Sequence, residues 1–278
     1  MRANVYFTRE ITPEKVVELY RALGVELPGK VAVKVHSGEK GNQNFLRPEF
    51  WCPMVEEVHG TIVECNTAYG DAAGGVRDHT ESHRKLLQEH GWTKYFDVDL
   101  MDAEGPDVVW PIPNGKVLKE NHVGKHILHY DSMLVLAHFK GHPMGGYGGA
   151  LKQLAIGCAS RAGKALIHSA GKTDDRFKTW EQHASSVVFP EAMADAASSV
   201  IEHFRGKIAF INVMKNLSVD CDCCAVAEDP CMKDIGIFAS LDPTSHTIGI
   251  IWIIIGIIYY PTHYHGAWGC QAEIGVAI

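Results

Sequence analysis

The chain alternates short apolar runs with amphipathic stretches at spacings that suit crossovers between parallel strands. Residues 4–8 read as a strand. Thr12-Pro13-Glu14 then reads as a helix start, with Thr12 as cap, and that helix runs to about residue 23 before Gly24. Residues 31–35 and 61–65 predict two more strands, with a helix opening at Pro48 between them and reaching about residue 58. A polar helix is expected over 78–89 and a weak strand over 95–98. Residues 101–124, with their prolines and glycines, read as an irregular excursion or a small hairpin. The apolar run 133–137 has the length of a buried strand. Beyond it, 174–206 is helical in pattern and firmest over 192–204, followed by strands at 208–213 and 235–239 and a helix start at Asp242-Pro243.

This order predicts an α/β fold, a mostly parallel sheet covered by helices on both faces, with two lobes around a cleft. One domain over 1–278 is expected, with 101–124 as the candidate lobe division and 244–278 atypical. The run 248–260 is apolar without period, and its thirteen residues fall short of the roughly 20 that a membrane helix needs.

The most distinctive stretch is 134–168, LVLAHFKGHPMGGYGGALKQLAIGCASRAGKALIH. It sets His138, Lys140 and His142 at the tip of a strand, then Gly145, Gly146, Gly148 and Gly149, then a helix from Ala150. Ligands of open α/β sheets sit outside the carboxyl ends of strands. A glycine turn entering a helix also presents free N–H groups to anions. Lys140, Lys152, Lys164 and Arg161 add positive charge there. A second polar loop, 37–50, follows another strand.

Composition narrows the picture. Apolar residues make up 46% and charged residues 21%, as in a globular protein with a real core. A net charge of −7 argues against a nucleic-acid binder. The first fifteen residues hold no apolar signal core, which reads as cytoplasmic, with no membrane partner. Of eight cysteines, Cys221, Cys223, Cys224 and Cys231 fall within eleven residues. In a cytosolic chain such clustering points to metal or redox chemistry more than to disulfides. The CxCC spacing matches neither the usual zinc pairs nor the ferredoxin run, so metal ligation, redox thiols and inert packing all stay open. His79 and His83, four apart around Glu81, read as a solvated helix face, with zinc binding as the alternative.

The stretches VAVKVHSGEKGNQNFLRPEF, IVECNTAYG, LAHFKGHPMGGYGGALKQLAIGCASRAGK, INVMKNLSVDCDCC and DIGIFASLDP, in this order, resemble the bacterial and archaeal domain-of-unknown-function family 362 over most of residues 30–243. Many members carry an inserted ferredoxin-type segment, so the resemblance implies iron–sulfur chemistry. This chain has no cysteine between His168 and Ile208, where the insert would lie, and its last 35 residues depart from the family apart from Ala272-Glu273-Ile274-Gly275. The run from His142 to Lys152 is also similar to a motif of nickel-pincer lactate racemases. That similarity implies an acid/base role for His142, a lysine (Lys152) that holds a nicotinate-derived cofactor, and a nickel ligand at His168. Arg47-Pro48 resembles the same family's anion-binding loop, while Leu151 stands where that family has arginine.

The candidate catalytic residues are therefore His142, Lys152 and His36. Candidate ligand or cofactor contacts are Arg47, Lys40, Asn42, Lys140, Gly145, Gly146, Gly148, Gly149 and Lys164, a solvated loop being the plain alternative for 36–47. Candidate metal ligands are Cys221, Cys223, Cys224, Cys158 and His168. The reading is a metal- or cofactor-dependent site, an oxidoreductase or isomerase candidate, acting on a small anionic molecule by proton abstraction or redox chemistry with His142 as base. The alternative is a non-catalytic iron–sulfur or metal-binding protein built on Cys221–Cys224. A homodimer is left open.

Overall fold

A computed structural model describes residues 4–70 and 74–243. The chain opens with β1 (Val5–Thr8), α1 (Pro13–Ala22), β2 (Val31–Lys34), α2 (Pro48–Glu57) and β3 (Thr61–Glu64). It continues through α3 (Thr80–Glu89), the single turn α4 (Trp92–Tyr95), β4 (Val98–Leu100), β5 (Val108–Pro111) and β6 (Glu120–Val123). A 3-10 turn at Lys125–His129 leads to β7 (Ser132–His138), β8 (Lys140–His142) and β9 (Gly146–Gly148). Then come α5 (Ala150–Cys158), α6 (Arg161–His168), α7 (Val188–His203), β10 (Ile208–Met214) and β11 (Gly236–Ser240).

Seven strands form one sheet in the order β1-β11-β10-β7-β2-β3-β4. The pairs from β10 to β4 are all parallel, and β11 alone runs against its neighbours. Strands from both sides of 101–124 belong to this one sheet, β11, β10 and β7 lying between β1 and β2. Two-sided burial explains the apolar strands. In β7, Met133, Val135 and Ala137 face one core with α5 and α7, while Leu134 and Leu136 face the other with α1 and α2. All seven residues of β7 are buried. Burying each such Leu or Val side chain contributes about 1.5–3 kcal/mol, so β7 anchors the fold. Thr12 caps α1 as its sequence predicts, its Oγ1 accepting from Lys15 N at 3.3 Å.

Crossovers from β2 run toward β3 and β4, and those from β7 run the other way, toward β10. The sheet therefore has its topological switch between β2 and β7, where a crevice opens at the carboxyl ends. Gln153 of α5 sits over it, its Nε2 reaching the carbonyls of Lys34 and Leu136, both at 3.3 Å.

Several elements differ from the sequence reading. The segment expected as a strand at 95–98 begins with the last residue of the turn α4, whose Trp92 is drawn inside by its indole N–H bond to the Ser37 carbonyl, and the strand starts at Val98. Helix α7 starts only at Val188. Upstream, Thr173 and Asp175 use their own side chains to accept the N–H groups of Asp175 and Phe177, which favours turns over helix. The glycine-rich stretch forms the β8–β9 hairpin rather than a simple turn. The apolar run 248–260, the match at 272–275 and nearly all of the helix expected from 242 lie outside the described residues.

No helix among the described residues is long and apolar enough to cross a membrane.

Candidate functional site

Four loops leave the carboxyl ends of β2, β3, β7 and β10 and close over the switch crevice. Asn42 clamps two of them together: its Nδ2 donates to the Cys224 carbonyl at 2.9 Å, and its Oδ1 accepts from the N–H groups of Asn44 and Phe45. The Glu39 N–H donates to the Asp222 carbonyl at 2.8 Å. The loop carrying the cysteines is thus held from the β2 side.

Beneath these loops lies a cavity of about 60 Å³, room for a few water-sized groups. Its lining carries Lys34, Arg77, Lys152 and Lys164 against a single carboxylate, Glu64. Lys34 is the one lysine of an otherwise apolar strand; its Nζ lies 2.5 Å from Glu64 Oε2. Gly157 of α5 makes room for it, since a Cβ there would fall 2.6 Å from Lys34 Cε. Burial works against ionisation of Glu64, but Lys34 and Arg77 outweigh it and hold the carboxyl down to about 2. Arg77 Nε also meets Glu39 Oε2 at 3.0 Å, and the Tyr69 hydroxyl lies within 3.0 Å of the same oxygen.

The histidines of the cavity are neutral and differ in tautomer. His142 Nδ1 accepts from the Gly145 N–H at 2.9 Å and lies 3.3 Å from the Met144 N–H, so its proton is on Nε2. His168 Nδ1 lies 2.7 Å from the Lys164 carbonyl, an acceptor, so this nitrogen carries the proton and Nε2 keeps a free lone pair. Phe189 packs against both rings, with centroids 6.0 and 4.9 Å away. Burial and the Lys152 charge push His142 down to about 2; burial foremost takes His168 to about 4. His36 is driven well below its ordinary value by burial and by Arg77, Lys140 and Lys152.

One donor atom from each of His142, Cys221 and Cys223 lies within 4.8 Å of the other two. Lys152 Nζ lies 3.2 Å from Cys221 Sγ. Burial would lower the Lys152 pKa, but the two sulfurs outweigh it and favour the ammonium. Behind the sulfurs, Asp222 accepts from Lys140 Nζ at 2.5 Å and from His138 Nδ1 at 2.9 Å. Both lysine and carboxylate are within 3% of full burial.

A family model described as a domain of unknown function, DUF362, matches residues 31–246. The chain belongs to this family. Among solved structures, the fold of this DUF362 chain is similar to a lactate racemase apoprotein from Thermoanaerobacterium thermosaccharolyticum, with a TM-score of 0.50 and 13% identity over 91% of this chain. The match spans 57% of that chain, so the DUF362 chain corresponds to little more than half its length. A protein from Thermotoga maritima matches at 13% identity and a TM-score of 0.43, over 74% of this chain and 51% of its own. No curated protein matches.

The DUF362 fold brings His36, His142, Lys152, Lys164, His168 and Cys223 to one cavity. Cys221 adjoins it through Lys152 and Cys223, and Lys140 stands behind on Asp222. Other candidates lie elsewhere. Lys40 and Arg47 are exposed, the Arg47 guanidinium stacking 3.9 Å over the Phe45 ring. The Asn42 amide is used in the loop clamp. Cys158 is buried at the end of α5, outside the donor group, and Cys224 is also outside it. The glycines shape the hairpin: Gly146 takes a positive φ of 74°, and Gly145 N–H serves His142. The entrance of α5 is not an open anion site, because the Ala150 N–H is taken by Asn212 Oδ1 at 3.0 Å. His83, read as lying on a solvated face, is fully buried with Nδ1 on Asn66 Oδ1.

Sequence reasoning missed Lys34, Glu64, Arg77 and Asp222. A lysine inside a β-branched run and an aspartate inside CDCC were the available signals. Arg77 gave none, because its carboxylate partner Glu39 comes from a different loop, 38 residues earlier.

The pincer-type cofactor does not fit. The cavity of about 60 Å³ is far below the several hundred that a nicotinate-derived group of that kind would fill. The Lys152 amine, its would-be attachment point, is engaged with Cys221. Nor do four cysteine sulfurs converge among the described residues as a cluster of the ferredoxin type requires. Two sulfurs and an imidazole suit a single soft or borderline ion.

Proposed function

We propose that this protein is an enzyme of proton transfer acting on a small anionic molecule of carboxylate type. The reading is carried by the opposite tautomers of His142 and His168 at one cation-lined cavity. His168 Nε2 offers a lone pair and accepts the substrate proton. His142 Nε2–H donates a hydrogen bond to the substrate oxygen that gains charge as that proton leaves, and the proton held on His168 then returns to carbon or exchanges with water. This exchanges the base role expected of His142, whose Nδ1 lone pair is already used by the Gly145 N–H. Of the cations Lys34, Arg77, Lys152 and Lys164, the first two are met by Glu64 and Glu39, which leaves Lys152 and Lys164 to face a carboxylate. Both imidazoles are kept neutral near pH 7, so His168 is free to accept a proton and His142 acts as a neutral hydrogen-bond donor.

The test is hydrogen exchange in heavy water. The protein is incubated with a panel of small 2-hydroxy and 2-oxo acids, lactate included, and loss of the carbon-bound proton signal is followed by NMR. Exchange should occur for one class, be abolished in His168→Gln and fall at least a hundredfold in His142→Gln. Absence of exchange across the panel, or full activity in His168→Gln, rejects the reading.

A second reading rests on the convergence of His142, Cys221 and Cys223: binding of one soft or borderline metal ion, with Lys152 offsetting the thiolate charge. Binding would expel the proton from His142 Nε2 and from both thiols. Cobalt added to the reduced protein should then give a sulfur-to-metal charge-transfer band, absent in Cys221→Ser.

A further inference from the structure

A second group of donors lies outside the cavity, at the edge of the sheet. Asp99 belongs to the edge strand β4, while His126 and His129 belong to the 3-10 turn that precedes β7. None of the three lines the cavity. A 3-10 turn has three residues per turn, so side chains at i and i+3 stand directly over one another. The two imidazoles accordingly stack, with centroids 4.9 Å apart and planes at 25°. One donor atom from each of Asp99, His126 and His129 lies within 4.8 Å of the other two.

The group is built rather than incidental. His126 Nδ1 lies 2.7 Å from Asp99 Oδ1. The other carboxylate oxygen, Oδ2, accepts from the Tyr130 hydroxyl at 2.9 Å. Burial and the Asp99 carboxylate both raise the Tyr130 pKa, so the phenol remains a donor. Such an outer partner fixes the orientation of a ligating carboxylate. The backbone is tied as well: the His126 N–H donates to the Met101 carbonyl at 3.0 Å, locking the turn to the end of β4. The far ring nitrogen, His126 Nε2, lies 4.0 Å from Oε2 of the mostly exposed Glu104. His129 is exposed and Asp99 and His126 are half-buried, so an ion can reach the donors from solvent.

We infer that Asp99, His126 and His129 form a divalent transition-metal site, distinct from the His142–Cys221–Cys223 group. Two imidazoles and one carboxylate favour zinc, cobalt, nickel or copper over calcium and magnesium, which prefer oxygen alone. The bound ion sits between His126 Nδ1 and Asp99 Oδ1, which already face each other at 2.7 Å. It also joins edge strand β4 to the turn that feeds the central strand β7, and so fastens the outer edge of the sheet.

The test is zinc binding by the full chain under reducing conditions, measured by equilibrium dialysis with metal analysis. His129→Ala alters an exposed side chain and should fold. It should lose one equivalent of zinc, or bind that equivalent at least tenfold more weakly, and Asp99→Asn should do the same. Cys221→Ser should keep this equivalent. The same zinc stoichiometry and affinity in the unmodified protein, His129→Ala and Asp99→Asn overturns the site, as does loss of all bound zinc in Cys221→Ser. Loss of exchange activity in the histidine variants of the cavity has no bearing on this outcome.

Discussion

The Nζ of Lys152 lies 3.2 Å from the Sγ of Cys221, both within the buried interior. A lysine ten residues after His142 and a cysteine 69 residues beyond it meet because α5 and the loop after β10 converge over one crevice. The ammonium stabilises negative charge on sulfur, and the hydrogen bond with Cys223 opposes it by raising the Cys221 pKa.

Replacing Lys152 with Met removes that stabilising charge while keeping the bulk of the stem. The Cys221 thiol should then become a weaker acid. Its alkylation by iodoacetamide at pH 8, followed by peptide mass spectrometry, should slow about tenfold for each unit by which its pKa rises. An unchanged rate would show that the lysine does not tune the sulfur.

Asp222 joins the cysteine loop to β7. It accepts from Lys140 Nζ and His138 Nδ1, and the other nitrogen of His138 lies 2.5 Å from the Lys215 carbonyl. Asp222→Ala leaves Lys140 buried with no counter-charge. Breaking a buried pair in this way costs about 3–5 kcal/mol, and urea unfolding should show a loss of that order. A loss below about 1 kcal/mol would mean that water reaches Lys140.

Much of this arrangement was legible in sequence, and the misses have physical causes. Strand β7 was readable because a run buried on both faces has no polar positions to confuse it. Helix α1 was readable because Thr12-Pro13 is a local signal that needs no distant partner. Placing His142, Lys152 and His168 near one strand tip likewise needed only local order. The glycine turn misled because what fills the α5 entrance is Asn212, from a strand 62 residues on. Lys40 and Arg47 were grouped with His36 by proximity in sequence, but the loop turns them outward and folds Glu39 in. Long-range pairing of that kind leaves no period in the chain.

Stability should fall early on acidification. Burial and Arg77 push His83 down to about 3, and burial foremost takes His168 to about 4, against an ordinary 6.5. Above pH 6.5 neither state binds the extra proton, so these groups contribute nothing there. Below it the unfolded chain takes up protons that the folded one refuses, and each such histidine costs about 1.4 kcal/mol per pH unit. Glu64 acts later, with its pKa displaced in the same direction: its stabilising contribution is complete above 4.5 and is lost as pH falls toward about 2. Urea midpoints measured from pH 7.5 to 5 should therefore decline before any carboxylate contributes, and His83→Gln should flatten the slope by one proton. A flat profile to pH 5 would contradict buried neutral histidines.

Gly141, between Lys140 and His142, bears directly on the geometry of the sulfur site. Its N–H donates to the Ser218 carbonyl at 2.8 Å, and a Cβ at this position would lie 2.1 Å from the Val219 carbonyl oxygen. Backbone cannot yield there as a flexible side chain could, so Gly141→Ala must push residues 218–224 away from the β8–β9 hairpin. Overpacking of this kind costs about 1–3 kcal/mol, a loss the folded sheet should survive. The displacement separates Cys221 and Cys223 from His142 and from Lys152. Gly141→Ala should therefore lose cobalt charge-transfer absorption and speed alkylation of the exposed thiols, while zinc at Asp99, His126 and His129 is retained. Retention of the cobalt band in a folded Gly141→Ala protein would mean that the cysteine loop is held by Asn42 and Glu39 alone, without the hairpin.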